Sequence, residues 1–137
     1  MPLALHEIQV GAIAYFDISL LSNDPSIKKP AFPPNRPSPF ICFQAQNGQS
    51  AWAVVTTQYR RERLVLEKAW RVEGSVQWRT DDLYLNDGAC TYVGPDQSFV
   101  NAGVHETPFT TINRPQLIAL GVAAVLAEVI NRNGPHI

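Results

Sequence analysis

A chain of 137 residues, 45% hydrophobic and 17% charged, is long enough for one domain with a buried core and too apolar for a disordered polymer. Its formal net charge of −1, from 11 basic and 12 acidic side chains, excludes a polybasic, histone-like mode of nucleic-acid binding but leaves room for a local basic patch. Cys42 and Cys90 are the only cysteines; with no CxxC spacing and no Cys/His cluster, a structural zinc site is excluded, and neither a metal nor a cofactor is expected.

Met1 to Val10 lacks the basic start and apolar run of a secretory signal, and the longest apolar stretch, Leu117 to Ala127, is too short to span a bilayer. A cytoplasmic setting without membrane association is the expectation. Ile8 to Leu20, rich in apolar and β-branched residues around Gly11, predicts an opening strand extending past Asp17. Six of the eleven prolines then fall between Pro25 and Pro39, which excludes a helix interior or a central strand and predicts a stiff loop. Phe40 to Ala45 and Ala51 to Thr57 predict two strands joined at Asn47-Gly48, a dipeptide suited to the positive φ values of a type I′ turn. A two-residue turn there places Gln46 opposite Gln49, Phe43 opposite Trp52 and Pro39 opposite Thr56. Leu64 to Trp70 and Val72 to Trp78 predict two further strands, and Asp82 to Asn86 with Ala89 to Val93 predict a second hairpin around Asp87-Gly88.

The last segment is patterned differently. Asn113 and Gln116 match a capping box, Ile112 and Leu117 a hydrophobic staple, and Pro115 is tolerated in a first helical turn. The predicted helix runs to about Arg132 and stops at Asn133-Gly134-Pro135. Glu128 is the only charge between Leu117 and Ile130, so the helix is expected to be covered on more than one side. With no internal repeat or linker, residues 1–137 form one mostly β domain: a small, strongly bent antiparallel sheet or barrel closed by one C-terminal helix.

Signatures of phosphate loops, dinucleotide folds, serine hydrolases and zinc proteases are absent, and His6, His105 and His136 are scattered. Charge is segregated instead. Arg60, Arg61, Arg63, Lys68, Arg71 and Arg79 cluster between Tyr59 and Arg79, whereas residues 80–113 hold five acids and no Lys or Arg. The pattern reads either as two solvated faces or as a basic groove beside an acidic rim. The hairpin register brings the Asn35-Arg36-Pro37 end of the proline loop beside Thr56, Thr57 and Gln58. On a strand, Arg79 and Asp81 share one face.

The order of these pieces resembles the MazF/PemK toxin family: Gly11 to Asp17 in a first strand, a long loop ending Arg36-Pro37, a strand ending Thr56-Thr57-Gln58, an Arg79-x-Asp81 segment and a final helix. The likeness covers roughly Val10 to Arg132. In this chain Ser38-Pro39 intervenes before the strand, and Asp24 is the only carboxylate in the loop. The resemblance implies an SH3-like barrel and a metal-independent, sequence-selective endoribonuclease of a type II toxin–antitoxin system. It further implies a homodimer, single-stranded RNA as substrate and a cognate antitoxin protein as partner. RNA is cut in that chemistry by attack of a 2′-hydroxyl on the adjacent phosphate, which needs a proton acceptor, a proton donor and stabilisation of the phosphorane. Arg36 is the candidate for the phosphorane charge, Thr56 for a phosphate contact, Asp81 for the base, and Arg79 for acid or phosphate ligand. A guanidinium holds its proton too firmly to act readily as an acid, which favours the charge role for Arg79. Thr57, Gln58, Tyr59, Arg60, Arg61 and Arg63 are candidates for RNA binding, with Tyr59 or Trp78 as stacking surfaces. The alternatives are a non-catalytic SH3-like binding module, with the proline loop as its docking surface, and a gyrase-poison-like toxin. Against the latter, the chain ends Gly134-Pro135-His136-Ile137 rather than in tryptophan–glycine–isoleucine.

Overall fold

The computed structural model describes residues 3–34, 38–71, 76–104, 116–117 and 121–137. Strands β1 (Ala12–Tyr15), β2 (Pro39–Gln46), β3 (Gln49–Thr56), β4 (Leu64–Leu66), β5 (Leu83–Pro95) and β6 (Gln116–Leu117) join in one sheet of order β4-β5-β3-β2-β1-β6. All its strand pairs are antiparallel. The fold is therefore mostly antiparallel β, as expected, but the sheet is open: β4 and β6 stand at opposite edges of the described strands, and no closed barrel is seen.

Both faces of the central strands are covered. β2 is buried without a break from Pro39 to Phe43 and β3 from Ser50 to Val55, rather than at alternate positions. The runs Phe40-Ile41-Cys42-Phe43 and Ala51-Trp52-Ala53-Val54-Val55 are what a strand buried on two faces requires. On one face Phe16, Phe40, Trp52 and Tyr92 pack with Leu21 of α1 (Ile18–Asn23) and Phe99 of α3 (Asp96–Ala102). Phe16 lies edge-on to Trp52 with ring centroids 4.9 Å apart, a favoured aromatic geometry. On the other face Ile41, Phe43, Val55 and Leu85 pack with Trp78 of α2 (Val76–Thr80) and with Leu126 and Val129 of α4 (Ala123–Asn133).

The first hairpin forms, with Asn47 and Gly48 at φ of 54° and 78° and Gln46 opposite Gln49. The register then slips between Cys42 and Gln44, so Cys42, not Phe43, faces Trp52, and Phe40 faces Val54. This bulge turns Phe43 onto the face under α4.

Other elements differ from expectation for identifiable reasons. The opening strand is only Ala12–Tyr15, because the Asp17 carboxylate accepts from the Leu20 N–H at 3.2 Å and starts α1. The strand at Leu64 ends at Leu66, and Lys68–Trp70 is a 3-10 turn. Val76–Thr80 is helical, and the Thr80 hydroxyl donates back to the Val76 carbonyl at 2.7 Å; residues 72–75 of that expected strand lie outside the described residues. No hairpin forms at Asp87-Gly88: both flanking segments pair with β3, and β5 runs through. Asn86 lies opposite Val54 and Thr91 opposite Ala53, so Asp87 to Cys90 are an insertion bulging from β5. The backbone of Lys28 pairs with Val93, and the Cys90 thiol donates to the Phe32 carbonyl at 2.7 Å, so the proline segment lies along β5.

The C-terminal helix starts at Ala123, later than predicted. Gln116 and Leu117 pair in β6 with Ile13 and Ala12, so they supply neither a capping box nor a staple; Asn113 and Pro115 lie outside the described residues. Its end matches expectation, at Asn133 with Gly134 at φ 79°. Leu126 and Val129 face the sheet, while Ala123, Ala124, Ala127, Glu128, Asn131, Arg132 and Asn133 are exposed. Within the single chain, the sheet covers one side of this helix.

Beyond α4 the chain returns to β2. The His136 N–H donates to the Gln44 side-chain oxygen at 3.3 Å, and its ring stands edge-on to Phe43 at 5.0 Å. Its Nε2 is buried without a hydrogen-bond partner. Burial first, then the Lys28 charge, pushes the His136 pKa below its ordinary 6.5. The unfolded chain therefore binds the proton more readily, and stability supplied by neutral His136 falls as pH drops through about 6.5 toward the folded value. Denaturation midpoints at pH 7.5 and pH 5.5 are expected to differ less in His136→Phe than in the parent chain.

Candidate functional site

The strand order creates the site. β3 ends at Thr56 opposite Tyr84, and β4 begins at Leu64 opposite Leu85, on the far side of β5. Residues 57–63 must therefore cross over β5, and this crossing carries Arg60, Arg61 and Arg63. The loop is tied at three points. The Gln58 N–H donates to the Thr56 hydroxyl at 3.2 Å, the Arg63 N–H to the Arg60 carbonyl at 3.1 Å, and Arg63 Nη1 to the Gln58 carbonyl at 2.8 Å. Arg60 and Arg61 are exposed and Arg63 is half-buried.

Between this loop, the C-terminal end of α4 and the bulge on β5 lies a cleft of about 420 Å³, lined by Arg60, Arg61, Glu62, Arg63, Asn86, Asp87, Arg132 and Asn133. Asp87 is only 4% exposed. Its Oδ2 accepts from Asn133 Nδ2 at 3.0 Å and lies 3.8 Å from the Arg132 guanidinium. Arg132 Nη2 also donates to the Glu62 carbonyl, which ties helix to loop. Burial and the neighbouring Arg60 charge push the Arg63 pKa down, against the opposing pull of Cys90 and Asp87. Positive charge is thus crowded here, and guanidinium forks match the paired oxygens of a phosphate. Tyr59, on the same loop, is 66% exposed and stands edge-to-face with Tyr84 at 5.5 Å. It offers an aromatic surface beside the cationic cleft.

The predicted catalytic residues are placed as follows. Arg36 lies outside the described residues. β2 begins at Pro39 at the end of the sheet where β3 stops at Thr56. That end also receives the start of β5 and the residues leading into it, Arg79 to Asp82. Arg79 and Asp81, however, do not alternate along a strand: Arg79 is in the last turn of α2, and Asp81 follows it with its N–H donating to the Gln77 carbonyl at 2.9 Å. Residues two apart on helical backbone point in different directions, so the shared face is lost.

Arg71, which the sequence distinguishes only as one charge in a run, has a clear structural part. It is 4% exposed and donates to the carbonyls of Trp78 at 2.6 Å, Asp81 at 2.5 Å, Leu66 at 3.1 Å and Glu67 at 3.4 Å. Its guanidinium lies 5.8 Å from the centre of the Trp78 ring. Arg132, Asn133 and Asp87 were also missed as site residues, since Asp87 sits in a dipeptide that reads as a turn and the other two in a helix stop.

Among the described residues, no group of three or more His, Cys, Asp or Glu side chains is placed to hold a metal ion, and no helix is long and apolar enough to cross a membrane. Comparison of the chain with protein-family models, with curated proteins and with solved structures finds no match.

Proposed function

We propose that this protein binds single-stranded RNA through the arginine cleft and cleaves it without a metal, as a toxin endoribonuclease of the MazF/PemK type acting in the cytoplasm as a homodimer and restrained by an antitoxin protein. The observation that carries the reading is the convergence of Arg60, Arg61, Arg63 and Arg132 on one cleft beside exposed Tyr59. Cations track the backbone of a single strand while aromatic rings take its bases. In the cleavage step a base, for which Asp81 is the candidate, removes the 2′-hydroxyl proton. The oxygen attacks phosphorus, Arg36 and Thr56 bind the phosphorane, and the departing 5′-oxygen takes a proton from water as the P–O5′ bond breaks and the 2′,3′-cyclic phosphate forms.

Incubation of purified protein with mixed-sequence RNA in excess chelator is expected to give fragments ending in cyclic phosphate. Arg36→Ala and Asp81→Ala are each expected to slow cutting by about 100-fold or more. RNA left intact by the parent chain overturns the nuclease; undiminished cutting by both variants overturns the assignment of those residues. One observation favours a second reading, a binding module that does not cut: Asp87, the buried carboxylate of the cleft, has structural partners in Asn133 and Arg132. On that reading RNA is bound and remains whole.

A further inference from the structure

The cleft combines three features that narrow what it takes. Two of its sides are tied together, because Arg132 bonds to the Glu62 carbonyl and so joins the C-terminal end of α4 to the crossing loop. Its volume of about 420 Å³ suits one small ligand unit, near the lower end of ordinary ligand clefts at roughly 300–1,000 Å³. Its charges do not balance: four guanidiniums line it against the carboxylates of Asp87 and Glu62, leaving two positive charges uncompensated. Asp87 is buried and held by Asn133 and Arg132, so it forms the floor that fixes Arg132 rather than a competitor at the rim.

An internal phosphodiester carries one negative charge and must continue in both directions along the strand. A terminal phosphomonoester carries about −1.5 to −2 at pH 7, offers three equivalent oxygens and leaves the cleft on one side only. Charge, oxygen count and the joined walls all favour the second. We propose that Arg60, Arg61, Arg63 and Arg132 form a subsite for the terminal phosphate of a single-stranded RNA end, with Asp87 as the positioning residue for Arg132. This rests on the RNA reading and deepens it, from RNA in general to phosphorylated RNA ends.

Fluorescence anisotropy with one short oligoribonucleotide in three forms, carrying a 5′-phosphate, a 3′-phosphate or hydroxyls at both ends, tests it. One of the phosphorylated forms is expected to bind at least tenfold more tightly than the hydroxyl-ended form, and which one identifies the end that enters. Arg132→Gln is expected to reduce that preference to less than threefold, whereas Lys28→Ala, at a residue that does not line the cleft, is expected to leave it unchanged. In Asp87→Asn, which keeps an oxygen for Asn133, the preference is expected to shrink by at least threefold. Equal binding of all three forms by the parent chain, or a preference that survives Arg132→Gln, overturns the end-specific subsite while the RNA-binding reading stands. Failure of every form to bind overturns both.

Discussion

Arg71→Met is expected to lower the stability of the folded chain by about 2–5 kcal/mol, the cost of stranding two buried backbone carbonyls. The guanidinium is costly to bury, and its pKa is pushed below the ordinary arginine value by that burial, against the pull of Asp81, Asp82 and Glu67. Methionine recovers this desolvation cost and fills much of the same volume. It cannot donate, however, and the carbonyls of Leu66 and Trp78, whose bonds to Arg71 are buried, lose their donor. At about 1–3 kcal/mol for each stranded group, together with the lost bonds to Asp81 and Glu67, the losses exceed the recovery. Arg71→Lys keeps a positive charge but presents a point donor where a planar fork spans carbonyls on both sides, so it is expected to fall between methionine and the parent. Urea denaturation measures both, and Trp78, whose ring faces the guanidinium, supplies a local fluorescence signal. A loss below about 1 kcal/mol for Arg71→Met shows that apolar packing of Trp78 alone holds α2 against the sheet.

Arg71 also illustrates where the sequence stops being informative. A bonded guanidinium and a solvated one are the same letter, and Arg71 stands among other charged residues between Tyr59 and Arg79. Only the path of α2 back over the residues after β4 buries it. The Asn47-Gly48 turn was legible because its φ values depend on those two residues alone. The end of α4 at Gly134 was legible for the same reason. Asp87-Gly88 carries the same local preference, but long-range pairing of both its flanks with β3 overrides it and draws the pair into β5. The apolar runs in β2 and β3 did contain the decisive pattern, since unbroken rather than alternating hydrophobicity marks a strand covered on both faces. Read that way, an open sheet between two helical layers follows more directly than a small barrel. The arginines of residues 60–63 were visible as a cluster, whereas Arg132 reaches them only through the packing of α4, which brings together residues about 70 positions apart.

Joint substitution of Arg60, Arg61 and Arg63 by alanine is expected to weaken binding of single-stranded RNA by about 100-fold near 0.1 M salt. Each phosphate contact on a single strand contributes roughly 0.7 to the slope of log K against log salt, so losing three makes the slope shallower by about 2. The fold should tolerate the change in Arg60 and Arg61, which are exposed, and the thermal midpoint is the control. Arg63 needs separate treatment, because its Nη1 closes the loop on the Gln58 carbonyl. Arg63→Lys keeps the charge but not the fork, so a loss of affinity there with an unchanged salt slope assigns Arg63 to loop geometry rather than to counting charge. Lys28→Ala removes one positive charge from the proline segment, away from the crossing loop, and is expected to move the slope little. If Lys28→Ala and Arg60→Ala weaken binding equally, attraction is a property of scattered surface charge and the cleft is not the site. If Arg60→Ala alone weakens binding and makes the salt slope shallower, the crossing of residues 57–63 over β5 is what converts a near-neutral chain into one that can hold a polyanion.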